Sequence, residues 1–485
     1  MTDEISAHSD QNFAPSKAEF LRPMHIHTVH SASLQQGSFR LDAAFYQSDF
    51  LEAVGRIRSC GLPLEKLRTL ASAFVPGRTR LITVRNSEAG APYLRAHDAF
   101  ETRPSRKRFV ARARTSNYEE LILKKGMILT PSSGRNLGPV AYVGDYLSGF
   151  AMTDIMRIVP KSEEDGFYLL AFLLTPTAQA LIKRGRSGTT VDHLAPAEVL
   201  DIDVPALPTP LRGEIVEAMR QAEAMLDEGR RSLDLASEKL HKLAGLTAQP
   251  PRGSYMAQNS GDVFTLNSRA LNLRLDAASH DPTAIGCAQT IKSKGGIALG
   301  KAANLNTLER YIRYYVDPPN GRPVLSGRQM LQLRQVNLRH ISDRSFKDPS
   351  KFVLKAGSTI FTCDGRSEEA LGEPAYVMPA WDGWLASEHV MRVEPLPDIG
   401  SGYLYLALTS PWVQVQMKAR ATGSVIDALE PEEISDVMLP LLDASNRDQL
   451  NREVERCWGL ISESIKLVDQ TGARFEAALQ PSRPL

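Results

Sequence analysis

The chain has 485 residues, of which 42% are hydrophobic and 23% charged, with 57 Lys and Arg against 56 Asp and Glu. That is the composition of a folded globular protein and excludes disorder throughout; since one core rarely grows past about 250–300 residues, at least two domains are expected. A net charge of +1 leaves nucleic-acid binding open, because a balanced chain can still gather its arginines on one face.

In chain order, MTDEISAHSD is polar and acidic rather than basic then apolar, so residues 1–18 are expected to be a disordered tail and not a secretory signal. His25, His27 and His30 alternate as strand side chains do and have no carboxylate or cysteine beside them, so no metal is assigned to them. A helix is expected over 45–58, strands near 80–84, 121–130, 139–143 and 155–159, and helices over 167–184 and 196–200. The longest apolar run, FYLLAFLL (167–174), stops at Thr175-Pro176, well short of the roughly 20 residues that cross a bilayer. A long helix should start at Thr209-Pro210, with the threonine as cap, and end at Gly245; QPPRGSYMAQNSGD then forms a linker. Strands follow near 310–316, 352–362, 374–377 and 389–394, helices over 402–419 and 431–435, and a second long helix within 442–480. Cys60, Cys287, Cys363 and Cys457 are far apart with no CxxC pair, which removes a zinc ribbon and a disulfide framework. A cytoplasmic chain with no membrane partner is expected.

The two halves repeat each other. RLDAA (40–44) recurs at 274–278, LKKGMILTPSSGR (123–135) aligns with LKAGSTIFTCDGR (354–366), and AYV (141–143) returns at 375–377. From Met156-Arg157 against Met391-Arg392 the offset is a constant 235, pairing among others Pro176 with Pro411, Gln179 with Gln414, Asp192 with Asp427 and Pro205 with Pro440. It runs on into both long helices. Ile215, Met219, Ala222, Leu226, Gly229, Leu233, Ala236, Leu240 and Leu243 follow at steps of four and three, and their counterparts are Leu450, Val454, Cys457, Ile461, Ser464, Val468, Thr471, Phe475 and Ala478. A sustained 3.5-residue period means that each helix wants a partner helix along its length, about 50 Å. Each half is thus an α+β globular unit followed by a long helix.

A unit containing LKKGMILTPSSGR…AYVGD, then GTTVDHL…EVLDIDVPALP, then a long helix, all given once more with GSVIDAL…EISDVMLPLL, resembles the specificity subunit of type I restriction–modification systems over roughly residues 35–480. The resemblance implies an α+β chain of two homologous α/β target-recognition domains, joined by two long antiparallel coiled-coil helices in a pseudo-two-fold internal repeat. The segments would be a recognition domain over 19–207, a spacer helix over 208–245, a linker over 246–260, a second recognition domain over 261–441 and a second spacer helix over 442–480. It implies a non-catalytic chain without cofactor. Each domain would read half of a bipartite target in double-stranded DNA, in phage defence; two methyltransferase (modification) subunits would dock on the helices, and a translocating nuclease could join. The chain departs from the family in its N-terminal extension and in carrying TPLRGEI after VPALP.

Candidate DNA contacts begin with Arg103, Arg106, Lys107, Arg108, Arg112 and Arg114, six basic residues in a dozen with no acid. The second half offers Arg328, Arg334, Arg339, His340 and Arg344 with Gln329, Gln332 and Asn337 between them. Lys and Arg neutralise phosphates, and Arg, Gln and Asn make bidentate contacts with guanine and adenine edges; the alternative is a solvated loop. Arg78 and Arg80 form a further basic loop, with Gly77-Arg78 placed against Gly300-Lys301. The turn Ser132-Ser133-Gly134-Arg135-Asn136, matched by the turn ending in Arg366, could approach DNA or simply close a hairpin. Thr189, Thr190 and Ser424 follow glycines and could donate to phosphate oxygens, or the turns could serve Asp192 and Asp427 as helix caps.

Two catalytic patterns fail on chemistry. VDPPN (316–320) approaches the adenine-methyltransferase motif, but Asn320 cannot stack a flipped base. GGIALGKA (295–302) has phosphate-loop spacing, but Ala302 replaces the hydroxyl that would hold magnesium. The rival functions are a self-contained adenine methyltransferase and a scaffold that binds no DNA.

Overall fold

The computed structural model describes residues 40, 42–77, 82–84, 87–104, 108–134, 136–188, 191–251, 265, 268, 271, 274–366, 370–423 and 426–480. The tail, the three N-terminal histidines and most of the linker lie outside them. The first half runs α1 (Ser48–Ser59), β1 (Leu64–Lys66), α2 (Leu67–Leu70), β2 (Ala71–Phe74), β3 (Thr83–Val84), β4 (Gly90–Leu94), β5 (Phe109–Ala111), α3 (Tyr118–Leu121), β6 (Ile128–Pro131), β7 (Ala141–Tyr142), β8 (Ala151–Met152), β9 (Ile155–Pro160), α4 (Glu163–Leu173), α5 (Pro176–Arg184), α6 (Pro196–Leu200), β10 (Asp203–Pro205) and α7 (Thr209–Leu243). The second runs α8 (Pro282–Ser293), β11 (Ile297–Ala298), α9 (Leu299–Ala302), β12 (Ala303–Asn306), β13 (Tyr315–Val316), β14 (Arg322–Leu325), β15 (Arg339–Ile341), β16 (Thr359–Thr362), β17 (Asp364–Gly365), β18 (Ala375–Tyr376), β19 (Leu385–Ala386), β20 (Val390–Pro395), α10 (Ser401–Thr409), α11 (Pro411–Arg420), β21 (Asp427–Ala428), α12 (Pro431–Ile434), β22 (Met438–Leu439) and α13 (Ala444–Ala478).

Both halves build the same pair of four-stranded sheets: β2-β9-β6-β7 and β3-β5-β4-β8 in the first, β12-β20-β16-β18 and β13-β15-β14-β19 in the second. Turn chemistry ends several elements earlier than hydrophobic pattern alone suggests. In the two Lys-x-Gly turns, Gly126 and Gly357 have φ of +91° and +88°, a conformation that costs a Cβ-free residue little, so the strands begin after them at Ile128 and Thr359. The helix expected over 167–184 is two helices bent by 86°. Thr175 accepts from the Ala178 N–H and Pro176 opens α5, so the chain caps and restarts. Pro411 likewise opens a new helix within 402–419, here without a side-chain cap.

The recurring motifs repeat because the same buried bonds repeat. Arg40 and Arg274, each paired with the Asp two residues on at 2.8 Å, donate to carbonyls at the end of α5 and α11, namely Gly185 and Arg186, and Arg420 and Ala421. Tyr168 and Tyr403 donate to the carbonyls of Pro205 and Pro440, and Gln179 and Gln414 each bridge a loop carbonyl, Gly138 or Gly372, to one at a helix end, Leu173 or Leu408.

The helices α7 and α13 lie side by side, and their ion pairs fix the direction: Glu214 meets Arg474, Glu228 meets Arg456 and Lys239 meets Glu453, one number falling as the other rises. Ile215, Met219, Leu226, Leu233, Leu240, Leu450, Val454, Ile461, Val468 and Phe475 are buried between the helices and the sheets. The closest approach falls at the small residues. A Cβ on Gly229 would stand 2.7 Å from Ile461 Cγ1, and Ser464 Oγ donates to the Ala222 carbonyl at 2.7 Å. Thr209 is the first helical residue and not the cap; Pro208 takes that place without a side-chain bond, because Pro210 sits one residue further in. At the other end Gly245, at φ +63°, lets the Gly245 and Leu246 N–H groups bond back to Lys242 and His241, a glycine-terminated helix end.

The start of α7 and the end of α13 join the core of the first half, where Phe475 packs between Tyr168 and Phe172 with centroids 5.4 and 5.5 Å away. The rest of α7 and the start of α13 join the core of the second half. Each globular part therefore sits at its own end of the helix pair.

Candidate nucleic-acid interface

The sheets β3-β5-β4-β8 and β13-β15-β14-β19, referred to below as the small sheets, carry exposed arginines. Arg108 leads into β5 and Arg339 opens β15; they are 231 residues apart in matched places, and both are exposed. Arg339 lies over the Tyr315 ring at 4.8 Å. Beyond the strands, Arg112 and Arg114 in one half and Arg344 in the other sit in short helical turns and are exposed. Arg112 pairs with Glu119 at 3.3 Å across open surface, a contact worth little and easily exchanged for a phosphate.

The expected basic stretches are not uniformly available. Arg103 donates to Asp234 of α7 at 2.9 and 3.0 Å, and Arg334, its counterpart 231 residues on, donates to Asp469 of α13 at 2.6 Å. Asp234 and Asp469 are themselves matched at offset 235, so each half clamps its loop to its own helix by the same ion pair. Burial alone would depress Arg103, but Tyr405 and Asp234 outweigh it and hold the guanidinium charged. Arg328 bonds Glu101 and, at 3.4 Å, Asp98. Gln329 donates to the Val336 carbonyl and the Gln332 side chain accepts from the Val336 N–H. Arg103, Arg328, Gln329, Gln332 and Arg334 thus have partners within the chain. They surround a symmetric junction: the Thr102 N–H bonds the Leu331 carbonyl at 2.8 Å and the Leu333 N–H bonds the Phe100 carbonyl at 2.9 Å. Arg230 of α7 donates to the carbonyls of Glu101 and Thr102 from below.

The turn at 132–136 is brought against residues 187–194: Ser133 bridges His193, the Gly134 N–H bonds the Asp192 carbonyl and the Leu194 N–H bonds the Ser132 carbonyl. In the second half β17 pairs β21 in the same manner. Gly188 and Gly423 are needed here, since a Cβ would stand 2.2 Å and 2.1 Å from the carbonyls of Val191 and Ile426. Ser132 and Ser133 are partly shielded or exposed at this turn, and Asn136 is exposed and bonded to Asn337; Arg366 is exposed. Arg78, Arg80, Arg106, Lys107, Arg135, Thr189, Thr190 and Ser424 lie outside the described residues.

One segment escaped the sequence reading. TLERYIRYY (307–315) leads into β13 and exposes Arg310, Ile312, Tyr314 and Tyr315, with Arg313 paired to Glu388. Basic residues interleaved with aromatic ones are the mark of a surface that holds phosphate and stacks bases, and that signal was there to be found.

The catalytic look-alikes are accounted for locally. VDPPN is an exposed turn between β13 and β14, closed by the Asn320 N–H on the Asp317 carbonyl. In GGIALGKA the Gly300 N–H is spent on the Ser435 carbonyl, and a phosphate cradle needs free N–H groups. Because α9 follows β11 as α2 follows β1, Gly300-Lys301 corresponds to Arg68-Thr69, which corrects its match with Gly77-Arg78. His97, Asp98 and Glu101 gather ligand atoms within 4.8 Å, but Arg328 already bonds both carboxylates. Among the described residues no single helix is long and apolar enough to cross a membrane, and the four cysteines are buried and unpaired.

No family model matches the chain and no curated protein matches it. Solved structures do. The S subunit of a type I restriction-modification system from M. genitalium is 12% identical, covering 87% of this chain and 98% of its own, with a TM-score of 0.30. The HsdS subunit from Thermoanaerobacter tengcongensis is 12% identical over 86% and 96%, at 0.26. A chain from a structure concerned with complex assembly and conformational transition of the type I R-M system is 13% identical over 86% and 98%, at 0.27. Likenesses this distant transfer no function; the geometry of this chain has to supply it.

Proposed function

We propose that the chain is a non-catalytic DNA-reading subunit of a type I-like restriction–modification system, made of two homologous recognition domains held apart by an antiparallel coiled coil. The observation that carries this reading is the matched placement of Arg108 and Arg339 on two sheets of identical strand order, in two globular parts whose main cores lie at opposite ends of the paired helices. A two-fold arrangement of two readers suits a split target in double-stranded DNA, with half-sites about one helical turn apart or less. The reading surface consists of Arg108, Arg112, Arg114, Arg339, Arg344 and Arg366 with Ser132, Ser133 and Asn136, joined by Arg310, Tyr314 and Tyr315. Two methyltransferase subunits would dock along the helices and supply catalysis.

The test is selection of duplexes from a random pool by the full chain assembled with type I modification subunits. Two short half-sites with a fixed spacer are expected. A single uninterrupted site, or retention without sequence preference, would contradict the proposal, as would methyl transfer from labelled S-adenosylmethionine to DNA by the purified chain alone.

A further inference from the structure

A cavity of about 270 Å³ opens where the first half, both long helices and the 333–337 loop of the second half meet. The corresponding positions across the pseudo-two-fold carry three rings. There Tyr376 and Trp458 stack with centroids 5.3 Å apart, and Tyr405 meets Trp458 edge-on at 5.3 Å. The repeat places Tyr142, Leu170 and Glu223 at those three positions, and all three line the cavity. Tyrosine has given way to leucine and tryptophan to glutamate, so the space corresponds to the rings that are missing.

Among the described residues no side chain is seen to hydrogen-bond the new polar group in that space. Arg230 and Arg334 favour the Glu223 carboxylate through space and Asp227 opposes it, but none of them hydrogen-bonds it. A carboxylate drawn out of bulk water costs free energy unless something donates to it. Arg230, Arg334 and Lys183 beside the same cavity disfavour a cationic occupant, and Glu223 disfavours an anionic one.

We propose that this cavity binds a neutral bicyclic N–H heteroarene of indole size, its ring lying where Trp458 lies in the other half and its N–H donating to Glu223. The ligand would touch the first half, α7, α13 and the second-half loop together and so brace the junction between the two halves. Nothing in the proposal depends on DNA binding, and the two stand or fall separately.

The full chain titrated with indole, followed by calorimetry and thermal unfolding, tests it. Saturable binding with a raised melting temperature is expected, and 1-methylindole, which lacks the donor, should bind about 10- to 100-fold more weakly. Glu223→Leu should erase the difference between the two probes. Glu223→Trp should fill the space and abolish binding; should that variant not fold, Leu170→Tyr narrows the same space from the opposite wall. Absence of indole binding up to about 1 mM, equal binding of both probes, or binding that survives the filling variant would overturn the proposal.

Discussion

Arg108 and Arg334 show how two arginines from the matched basic stretches can have opposite consequences. Arg108 is exposed, with no ion pair to it among the described residues, whereas Arg334 is held by Asp469 at 2.6 Å. Arg108→Glu and Arg339→Glu should each weaken DNA retention, reduce the log–log salt slope by about one per lost phosphate contact, and leave thermal stability near wild type. Arg334→Ala should instead lower stability, by about 1–3 kcal/mol, with less effect on the salt slope; titrating retention against salt for the three variants checks this. Glu223 gives a pH signature. Burial first, then Asp227 on the same helix, lifts its carboxyl to about 7, against Arg230 of α7 and Arg334 of the facing loop; Lys183 of α5 also borders the cavity. A carboxyl raised in the folded state favours folding below its unfolded value near 4.5 and loses that contribution as pH climbs through 7. Between pH 5 and pH 8 the wild type should therefore lose about 1–3 kcal/mol relative to Glu223→Gln, read by denaturant unfolding at each pH.

For the elements, packing of the helix pair is decisive. Phe475, near the end of the second helix, is buried among rings of the first half, so the last element of the chain closes onto the first globular part. Phe475→Ala should cost about 3–5 kcal/mol and loosen the first half most, which hydrogen exchange resolved by segment would reveal; loss confined to the second half would contradict the antiparallel packing. The seam was legible because its period of 3.5 needs no knowledge of the fold, and Gly229 and Ser464 announced the close approach by their size. Less legible were the bends at Thr175-Pro176 and Pro411, where hydrophobic pattern continues but the backbone has lost an N–H.

Across the whole molecule, the duplication could be read because its repeated residues are those that bond or pack inside each half: the RLD arginines, the buried tyrosines, the bridging glutamines. Residues meeting across large separations could not. Arg103 and Asp234 are joined over 131 positions, and their pairing is invisible until the loop and its helix are placed together; counting basic residues alone does not show that Arg103, Arg328 and Arg334 have partners inside the chain. The offset also slips from 235 in the helices to 231 in the small-sheet region, which hid the equivalence of Arg108 with Arg339. The junction at Glu101 and Gln332 has the same origin, as two matched loop segments that meet each other and not a neighbour in sequence.

The separation of the two sheets by a rigid pair of helices is tested most directly by inserting one heptad at matching points of α7 and α13 and repeating the selection of duplex DNA. Seven residues add about 10 Å to the rod, or roughly three base pairs at 3.4 Å each. The account predicts a spacer longer by about that amount between unaltered half-sites, with reduced stability from parting the Glu101–Gln332 junction. An unchanged spacer, or changed half-sites, would contradict it.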